Sequence, residues 1–280
     1  MLNVAFNIET LNVDLGGTAG NIAYSLALLG EKPLIYATAG DDFGTYRKKL
    51  DELKLTTDFI KVLPDAKTAQ AFITTDLADN QITAFHGGAM YRAHEHPLAV
   101  SEKSLVIISP NGPEAMVAHA NYCQKNQLPF IFDPGQAFNA LKKEDLIHSV
   151  ENSRALTLND YEWQLWKEKT GLTESQTLDL TEATIITLGE KGSLITTRKG
   201  GIAVPALKNL NVIDPTGSGD AFRAGLLYGL SRGMDWKVCA QIGTTLASYC
   251  VEIQGPQNHR FTLAKFKELY RKAWGEKFSE

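Results

Sequence analysis

Short apolar runs alternate with segments of helical periodicity along most of the chain. The runs are bounded by glycine, proline or polar residues, and the segments between them carry apolar positions three or four residues apart. The predicted strands are 33–39, 105–109, 130–132, 155–158, 183–188 and 193–197, and the predicted helices are 22–29, 46–53, 114–127, 142–150, 236–253 and 263–274. Apolar strands separated by helices are typical of a mostly parallel sheet with both faces covered, so the pattern predicts an α/β fold.

Two alternating segments, residues 68–76 and 81–85, interrupt this rhythm. The turn between them contains Asp79 and Asn80, which predicts a β-hairpin. Residues 1–15 also alternate and could pair with this hairpin. We find no linker or internal repeat, and therefore predict one domain over residues 1–280. Its lid strands are expected within 1–15 and 68–90, and its core in 16–67 and 91–280.

Glycine and polar residues gather where the predicted strands end. Asn159 and Glu162 follow one strand, and Thr187, Gly189 and Gly192 follow the next. The carboxyl ends of parallel strands meet at one edge of a sheet, where α/β proteins bind ligands. An amide can hydrogen-bond phosphate and a carboxylate can hold water of a Mg²⁺ shell, although Asn-x-x-Glu is also a common helix start. The edge is therefore a candidate phosphate site.

The most informative stretch is residues 211–230. Val212 and Ile213 predict a short strand, residues 216–219 form a turn of small residues, and a helix follows from Asp220. Such a turn presents backbone N–H groups at a helix N-terminus, which binds anions. A carboxylate repels phosphate, so a site that only bound phosphate would be better without Asp220. The residue is better explained as a base that deprotonates a hydroxyl attacking phosphorus. A plain strand–turn–helix corner with Asp220 as the helix cap would have the same residues.

A second glycine turn precedes the first predicted helix. Gly16 and Gly17 would let a ligand approach the backbone closely, and Asn21 projects from the first helical turn. Simple turn chemistry would also place glycines here. Taken alone, this turn is a candidate binding site and no more.

Composition narrows the class of protein. The chain has 280 residues, 44% of them apolar and 21% charged, with a formal net charge of −4. This charge gives no support for a nucleic-acid surface, and no apolar run reaches the length of a membrane span. The three cysteines are widely spaced and predict reduced core thiols. The sequence therefore favours a cytoplasmic protein with small-molecule partners, and neither a nucleic acid nor a membrane.

Taken together, these motifs resemble the ribokinase-like (PfkB) family of carbohydrate and nucleoside kinases. One signature of that family begins with residues 16–21 and continues to Leu29 and Gly30. The other consists of residues 214–220. The motifs at 159–162 and 187–192 stand between them in the family's order. The resemblance implies a ribokinase-like three-layer α/β/α sandwich with a small β-sheet lid. Segments 68–76, 80–86 and 132–136 look most like bacterial adenosine kinases.

The resemblance also implies roles for the transfer and acceptor sites. Asp220 would be the base, and the N–H groups of Gly217, Ser218 and Gly219 would form the anion hole. The sugar hydroxyls of the acceptor would be bound by Gly16, Gly17 and Asn21.

The cofactors implied are ATP and Mg²⁺. The ATP-binding residues would be Asn159, Thr187, Gly189, Gly192 and Thr244, with the loop 255–258 beside the adenine. Glu162 would bind Mg²⁺ through a water molecule. Many members of the family also bind a monovalent cation such as K⁺, which would lie near Asp214 and Gly255.

Three functions are compatible with these residues. The leading one is ATP-dependent phosphorylation of a primary hydroxyl of a nucleoside, with adenosine as the expected acceptor. The aromatic residues Phe6, Phe72 and Phe85 on the lid strands favour it, because a base needs a stacking surface. The alternatives are a kinase of a free sugar such as ribose or fructose, and a non-catalytic nucleotide-binding relative.

Two further expectations concern the N-terminus and the assembly. Family members begin with another strand that carries a sugar-binding Asp, and no such segment precedes the lid here, so truncation of a longer parent is expected. Because the edges of a lid sheet often pair between subunits, a homodimer through the lid is expected as well.

Overall fold

The computed structural model describes residues 7–76 and 81–278. Within them the helices are α1 (Thr18–Leu28), α2 (Gly44–Glu52), α3 (Pro113–Lys125), α4 (Lys143–Val150), α5 (Asp160–Thr170), α6 (Glu174–Thr177), α7 (Ser218–Ser231), α8 (Trp236–Val251) and α9 (Leu263–Trp274). Short 3-10 helices cover Gly88–Glu95, Gly135–Ala140 and Gly189–Lys191. None of the helices in these two ranges is long and apolar enough to cross a membrane.

Within the described residues the strands form three sheets. They are β1 (Ala37–Gly40), β2 (Ile60–Leu63), β3 (Gln70–Thr75), β4 (Gln81–His86), β5 (Val106–Ile108), β6 (Phe130–Phe132), β7 (Ala155–Asn159), β8 (Ala183–Thr187), β9 (Ser193–Thr197) and β10 (Gly200–Val204). The main sheet has the order β10-β9-β8-β7-β6-β5; β5 to β8 pair in parallel, β9 pairs antiparallel with β8, and β10 pairs antiparallel with β9. A second, parallel pair joins β1 to β2, and β3 and β4 form the hairpin. The predicted α/β class with a small β-sheet lid is confirmed.

The main sheet is covered on both faces because its strands are apolar on both. In β6, Ile131 packs with α1, α7, α8 and α9, whereas the neighbouring Phe132 packs with α3, α4 and α5. Ile185 and Ile186 divide between the same two cores in β8. Successive side chains on a strand point to opposite faces, so each strand contributes to both cores. This arrangement is the expected three-layer α/β/α sandwich.

Helices α7 and α8 pack especially closely. A Cβ atom on Gly225 of α7 would overlap the backbone of Gly243 on α8, so glycine is required at this crossing. The contact lies two turns after the start of α7 and fixes the N-terminus of that helix relative to α8. The rigid scaffold therefore extends to the turn that carries Asp220.

Several local predictions were wrong. Residues 7–15 contain no strand, and residues 1–6 lie outside the described residues, so the lid sheet described consists of β3 and β4 alone. Val212 and Ile213 are exposed and form no strand. The strand predicted at 33–39 begins only at Ala37, and β10 was not predicted. The apolar patterns at these places are short, and short apolar runs do not by themselves define a strand. The predicted domain limits and the expected truncation stay predictions.

Candidate active site

The N-termini of α1 and α7 meet beside the carboxyl edge of the main sheet. Asn21, in the first turn of α1, donates from Nδ2 to Oδ2 of Asp220 in the first turn of α7, at 2.7 Å. The two residues are 199 positions apart in the chain. The structure therefore brings the predicted acceptor turn, Gly16–Asn21, into contact with the predicted base. A Cβ atom on Gly16 or Gly17 would meet no atom within 4 Å, which leaves room for a ligand.

The turn before α7 has the geometry of an anion site. Gly217 is left-handed with φ 80°, and a Cβ atom there would overlap Pro256, so this position requires glycine. The N–H of Ser218 donates to the carbonyl of Pro215 at 3.1 Å and closes the turn. The first N–H groups of a helix have no carbonyl one turn earlier, so Gly219 presents its N–H at the positive end of the helix dipole. Because the Ser218 N–H is used within the turn, we expect the N–H groups of Gly217 and Gly219 to be the main anion donors.

Burial raises the pKa of Asp220 to about 6, against the opposing effects of the Arg223 charge and of the Asn21 hydrogen bond. A carboxylate with this pKa is mostly ionised at neutral pH. It is also a better proton acceptor than an exposed aspartate. The value suits a general base.

The acid limb of the activity profile should report this pKa. Because protonated Asp220 cannot accept a proton, kcat/KM for phosphoryl transfer is expected to fall by about tenfold per pH unit below about pH 6. Steady-state assays from pH 4.5 to 8.5 check this, with nucleotide binding by calorimetry over the same range as the control for unfolding. An acid limb centred near pH 4 would contradict the assignment.

A buried ion pair lies beneath the first turn of α7. Nη2 of Arg223 donates to Oδ1 of Asp133 at 2.7 Å; the Asp133 side chain is 1% exposed and that of Arg223 11%. Burial alone would lower the pKa of Arg223, but the charges of Asp133, Asp220 and Glu162 raise it, so the guanidinium stays charged. A Cβ atom on Gly219 would lie 2.7 Å from Nη1 of Arg223. A fixed positive charge therefore lies beside both the turn before α7 and Asp220.

The motif at the end of β7 forms a helix cap. Oδ1 of Asn159 accepts from the N–H of Glu162 at 2.7 Å, and Oε2 of Glu162 accepts from the N–H of Asn159 at 2.8 Å. This capping box starts α5, as the alternative interpretation of Asn-x-x-Glu expected. The cap uses one oxygen of each side chain, which leaves Nδ2 of Asn159 and Oε1 of Glu162 for a ligand.

The two glycines after β8 have different surroundings. Gly189 has φ 57° and open space around it, whereas a Cβ atom on Gly192 would overlap the backbone of Val204. Gly192 is therefore required by the packing of the chain after β10, and Gly189 is the glycine that a phosphate could approach. Thr187 is the register partner of Asn159 on the neighbouring strand. Thr244 is 7% exposed on α8, next to the contact with α7.

The loops after α8 contact the acceptor side of the site. Nε2 of Gln257 donates to Oδ1 of Asn21 at 2.9 Å, although the loop 255–258 was predicted beside the adenine. Oδ2 of Asp214 accepts from the N–H of Gly255 at 2.9 Å and so joins the two loops that were expected to hold a monovalent cation. The K⁺ site stays a prediction.

Three residues of this site, Tyr46, Asp133 and Arg223, were not predicted from the sequence. Gln257 was predicted only as part of the loop beside the adenine, and not as a partner of Asn21. A signal existed for Arg223, which lies three positions after Asp220 and so on the same helix face, and for Asp133, which directly follows a buried strand like Asn159 does. Nothing in the local sequence links Tyr46 or Gln257 to Asn21.

The fold and the site together indicate an α/β phosphotransferase with a buried carboxylate at a helix N-terminus. Residues 3–262 match the pfkB family carbohydrate kinase. A nucleoside kinase of Methanocaldococcus jannaschii is 32% identical over 272 residues, which cover 96% of this chain and 90% of that protein. The solved structure of Burkholderia thailandensis nucleoside kinase in complex with inosine has a TM-score of 0.94 and 40% identity over 99% of this chain and 92% of that one. A ribokinase of Bacillus subtilis is 28% identical, covering 91% and 87%.

The chain therefore belongs to the PfkB family of carbohydrate kinases. It is an ATP-dependent kinase, and the resemblance found in its motifs is confirmed. Adenosine as the particular acceptor stays a prediction.

Proposed function

We propose that this protein transfers the γ-phosphoryl group of ATP to the primary hydroxyl of a nucleoside, with adenosine as the leading acceptor. The observation that carries the proposal is the 2.7 Å contact between Asn21 and Asp220. It joins the glycine turn that would hold sugar hydroxyls to a carboxylate at the rim of an anion site. The nucleoside kinases among the relatives support a nucleoside rather than a free sugar.

The transfer requires a proton acceptor and a site for the transferred group. The acceptor hydroxyl would give its proton to Asp220 while its oxygen bonds to the γ-phosphorus, and the bond from that phosphorus to the bridging oxygen would break to release ADP. The N–H groups of Gly217 and Gly219 would bind the phosphoryl oxygens, while the N–H of Ser218 between them closes the turn. Arg223 lies beneath them and would offset the negative charge that gathers there.

The sheet edge would hold ATP. Asn159, Thr187, Gly189 and Gly192 lie along the ends of β7 and β8, and Thr244 lies on α8. Mg²⁺ usually takes one or two carboxylates, water and substrate phosphates, and Oε1 of Glu162, which the helix cap does not use, fits such a shell through water. When bound, Mg²⁺ would neutralise charge on the β- and γ-phosphates.

The hairpin would cover the acceptor with one of its two faces. Phe72 pairs with Ala84 and Phe85 with Ala71, so the two phenylalanines point to opposite faces, and they are 59% and 52% exposed. Only one of them can stack on a base bound beneath the hairpin; Phe6 lies outside the described residues. The expected homodimer would pair an edge of this hairpin with the hairpin of a second copy of the chain.

A coupled assay that detects ADP release with adenosine, inosine and ribose as acceptors tests the function. We expect kcat/KM for a nucleoside to exceed that for ribose by at least about 100-fold, because a stacked base adds binding energy that ribose lacks. One of the two variants Phe72→Ala and Phe85→Ala is expected to raise KM for the nucleoside, and the other serves as its matched control.

The outcomes separate the three candidate functions. Turnover of ribose alone would reject the nucleoside and favour the sugar kinase, which the relatives named as ribokinases support as the second candidate. ATP binding without turnover of any acceptor would favour the non-catalytic relative.

A further inference from the structure

A chain of buried and part-buried hydrogen bonds runs from the glycine turn to Asp220. The hydroxyl of Tyr46 on α2 donates to the carbonyl of Gly16 at 2.8 Å, and Nε2 of Gln257 donates to the same hydroxyl. Nε2 of Gln257 also donates to Oδ1 of Asn21 at 2.9 Å, and Nδ2 of Asn21 donates to Asp220. Four separate segments of the chain meet in this network.

We propose that Tyr46 and Gln257 are positioning residues that orient the Asn21 amide so that its N–H group, and not its carbonyl, faces the carboxylate of Asp220. The proposal rests on the proposed function, since it assigns Asp220 as the base. Tyr46 and Gln257 would act through Asn21 and would not touch the reacting atoms.

The direction of each hydrogen bond is fixed by chemistry. An ionised carboxylate can only accept, so Asp220 requires a donor from Asn21. Gln257 gives Asn21 that orientation, because its Nε2 can only donate and therefore claims the Asn21 carbonyl oxygen. Burial raises the pKa of Tyr46 to about 12, so its hydroxyl keeps the proton that it donates to Gly16.

The network is buried enough for this orientation to matter. Asn21 is 6% and Gln257 4% exposed, so water has little access to replace a lost partner. Oε1 of Gln257 has no hydrogen-bond partner among the described residues, and an unpartnered buried acceptor costs stability. A role in stability alone therefore explains Gln257 poorly. A role in orienting Asn21 explains why the Gln257 side chain makes its hydrogen bonds through Nε2.

The hydrogen bond from Asn21 favours the ionised form of Asp220. The titratable groups around Asp220 are Arg223 on its own helix, Asp133 after β6, Tyr46 on α2 and Cys250 on α8. Of these only Arg223 is a cation, so the amide of Asn21 is the second group that holds the base in its ionised form.

The variant Gln257→Glu tests the proposal. The carboxyl group that it introduces offers Asn21 no amide N–H and lies beside it, so the Asn21 amide is expected to turn and Asp220 to lose its donor. We expect the pKa of Asp220, read from its carboxyl carbon by ¹³C NMR, to rise by about one unit. The acid limb of kcat/KM should move up equally, and KM for ATP should stay unchanged.

Gln176→Glu is the matched control, because it makes the same change at an exposed helix cap where glutamate is equally suitable. Gln257→Met, which adds no charge, is the second variant and should shift the same pKa by a smaller amount. Tyr46→Phe removes the hydroxyl that anchors Gln257 and should also raise the pKa of Asp220 by a smaller amount.

An unchanged Asp220 pKa in all three variants of Gln257 and Tyr46 would overturn the proposal. So would a loss of activity equal at every pH and accompanied only by a lower Tm. Because the NMR titration needs no turnover, it gives its result even if no acceptor is phosphorylated, in which case the proposed function fails separately.

Discussion

Replacing Asp220 by Asn is expected to lower kcat by about 10²–10⁴-fold, with ATP affinity changed by less than about twofold. Asparagine has nearly the same shape and its carbonyl can still accept the hydrogen bond from Asn21, so the local structure should be retained. It cannot take the proton of the acceptor hydroxyl at neutral pH. Single-turnover kinetics with saturating ATP and nucleoside, together with calorimetric ATP binding, measure the two quantities.

The matched control for this variant is Asp235→Asn. Asp235 caps α8 by accepting from the N–H of Val238 at 2.9 Å, and asparagine caps helices equally well, so activity should be unchanged. An equal loss of ATP binding and turnover in Asp220→Asn would show that Asp220 serves binding and not proton transfer.

Replacing Arg223 by Met is expected to lower the free energy of unfolding by about 3–5 kcal/mol. The change leaves Asp133, which is 1% exposed, without the cation that neutralises it. Removing one partner of a buried ion pair costs more than the pair contributes, because the remaining charge is stranded away from water. Urea denaturation followed by circular dichroism measures the change.

Arg198→Met provides the comparison at an exposed pair. Arg198 donates to Asp179 at 2.9 Å, but both side chains are about two-thirds exposed, at 70% and 66%, so the loss should be at most about 1 kcal/mol. The double variant Arg223→Met with Asp133→Asn should recover part of the stability, since no charge is left unpaired. A loss below about 1 kcal/mol for Arg223→Met would show that water reaches Asp133.

The ion pair and the amide network support Asp220 from two sides. Arg223 offsets its charge from within α7, and Asn21 donates to it from α1. We therefore expect stability and catalysis to separate in these variants. Changes at Gln257 are expected to act on the pKa of Asp220, whereas changes at Arg223 are expected to act on both Asp220 and the stability of the fold. The two sets of measurements can be made on the same proteins.

Local sequence patterns were enough to predict the hairpin, the parallel strands of the main sheet and the start of α7. The alternation of residues 68–76 and 81–85 predicted the hairpin, and the apolar runs around Ile131, Leu156 and Ile185 predicted parallel strands of the main sheet. The small-residue turn before Asp220 predicted a helix N-terminus at the right place. These features are repeated or bounded within a few residues, which is the range over which propensity and periodicity act.

Where the local signal was weak, the sequence misled. Val212 and Ile213 are apolar yet exposed, because two residues are too few to distinguish a strand from a loop. Gly192 belongs to a glycine motif of the predicted phosphate edge, but its surroundings show a packing requirement against Val204. In both cases the local sequence did not decide the role of the residue, which depends on the atoms that lie next to it in the fold.

The sequence alone predicted most strands and helices of the main sheet in their order, although it missed β10, and it predicted the small-residue turn with the carboxylate beside it. Only the tertiary structure decided what surrounds that carboxylate. Asn21 lies 199 residues from Asp220, Gln257 lies 236 from Asn21, and Arg223 lies 90 from Asp133. Contacts over such separations arise from the packing of whole helices and strands, and they leave no periodic trace in the chain. The proposed base was predicted from its own segment, but its hydrogen bond with Asn21 and the contact between Asn21 and Gln257 were not.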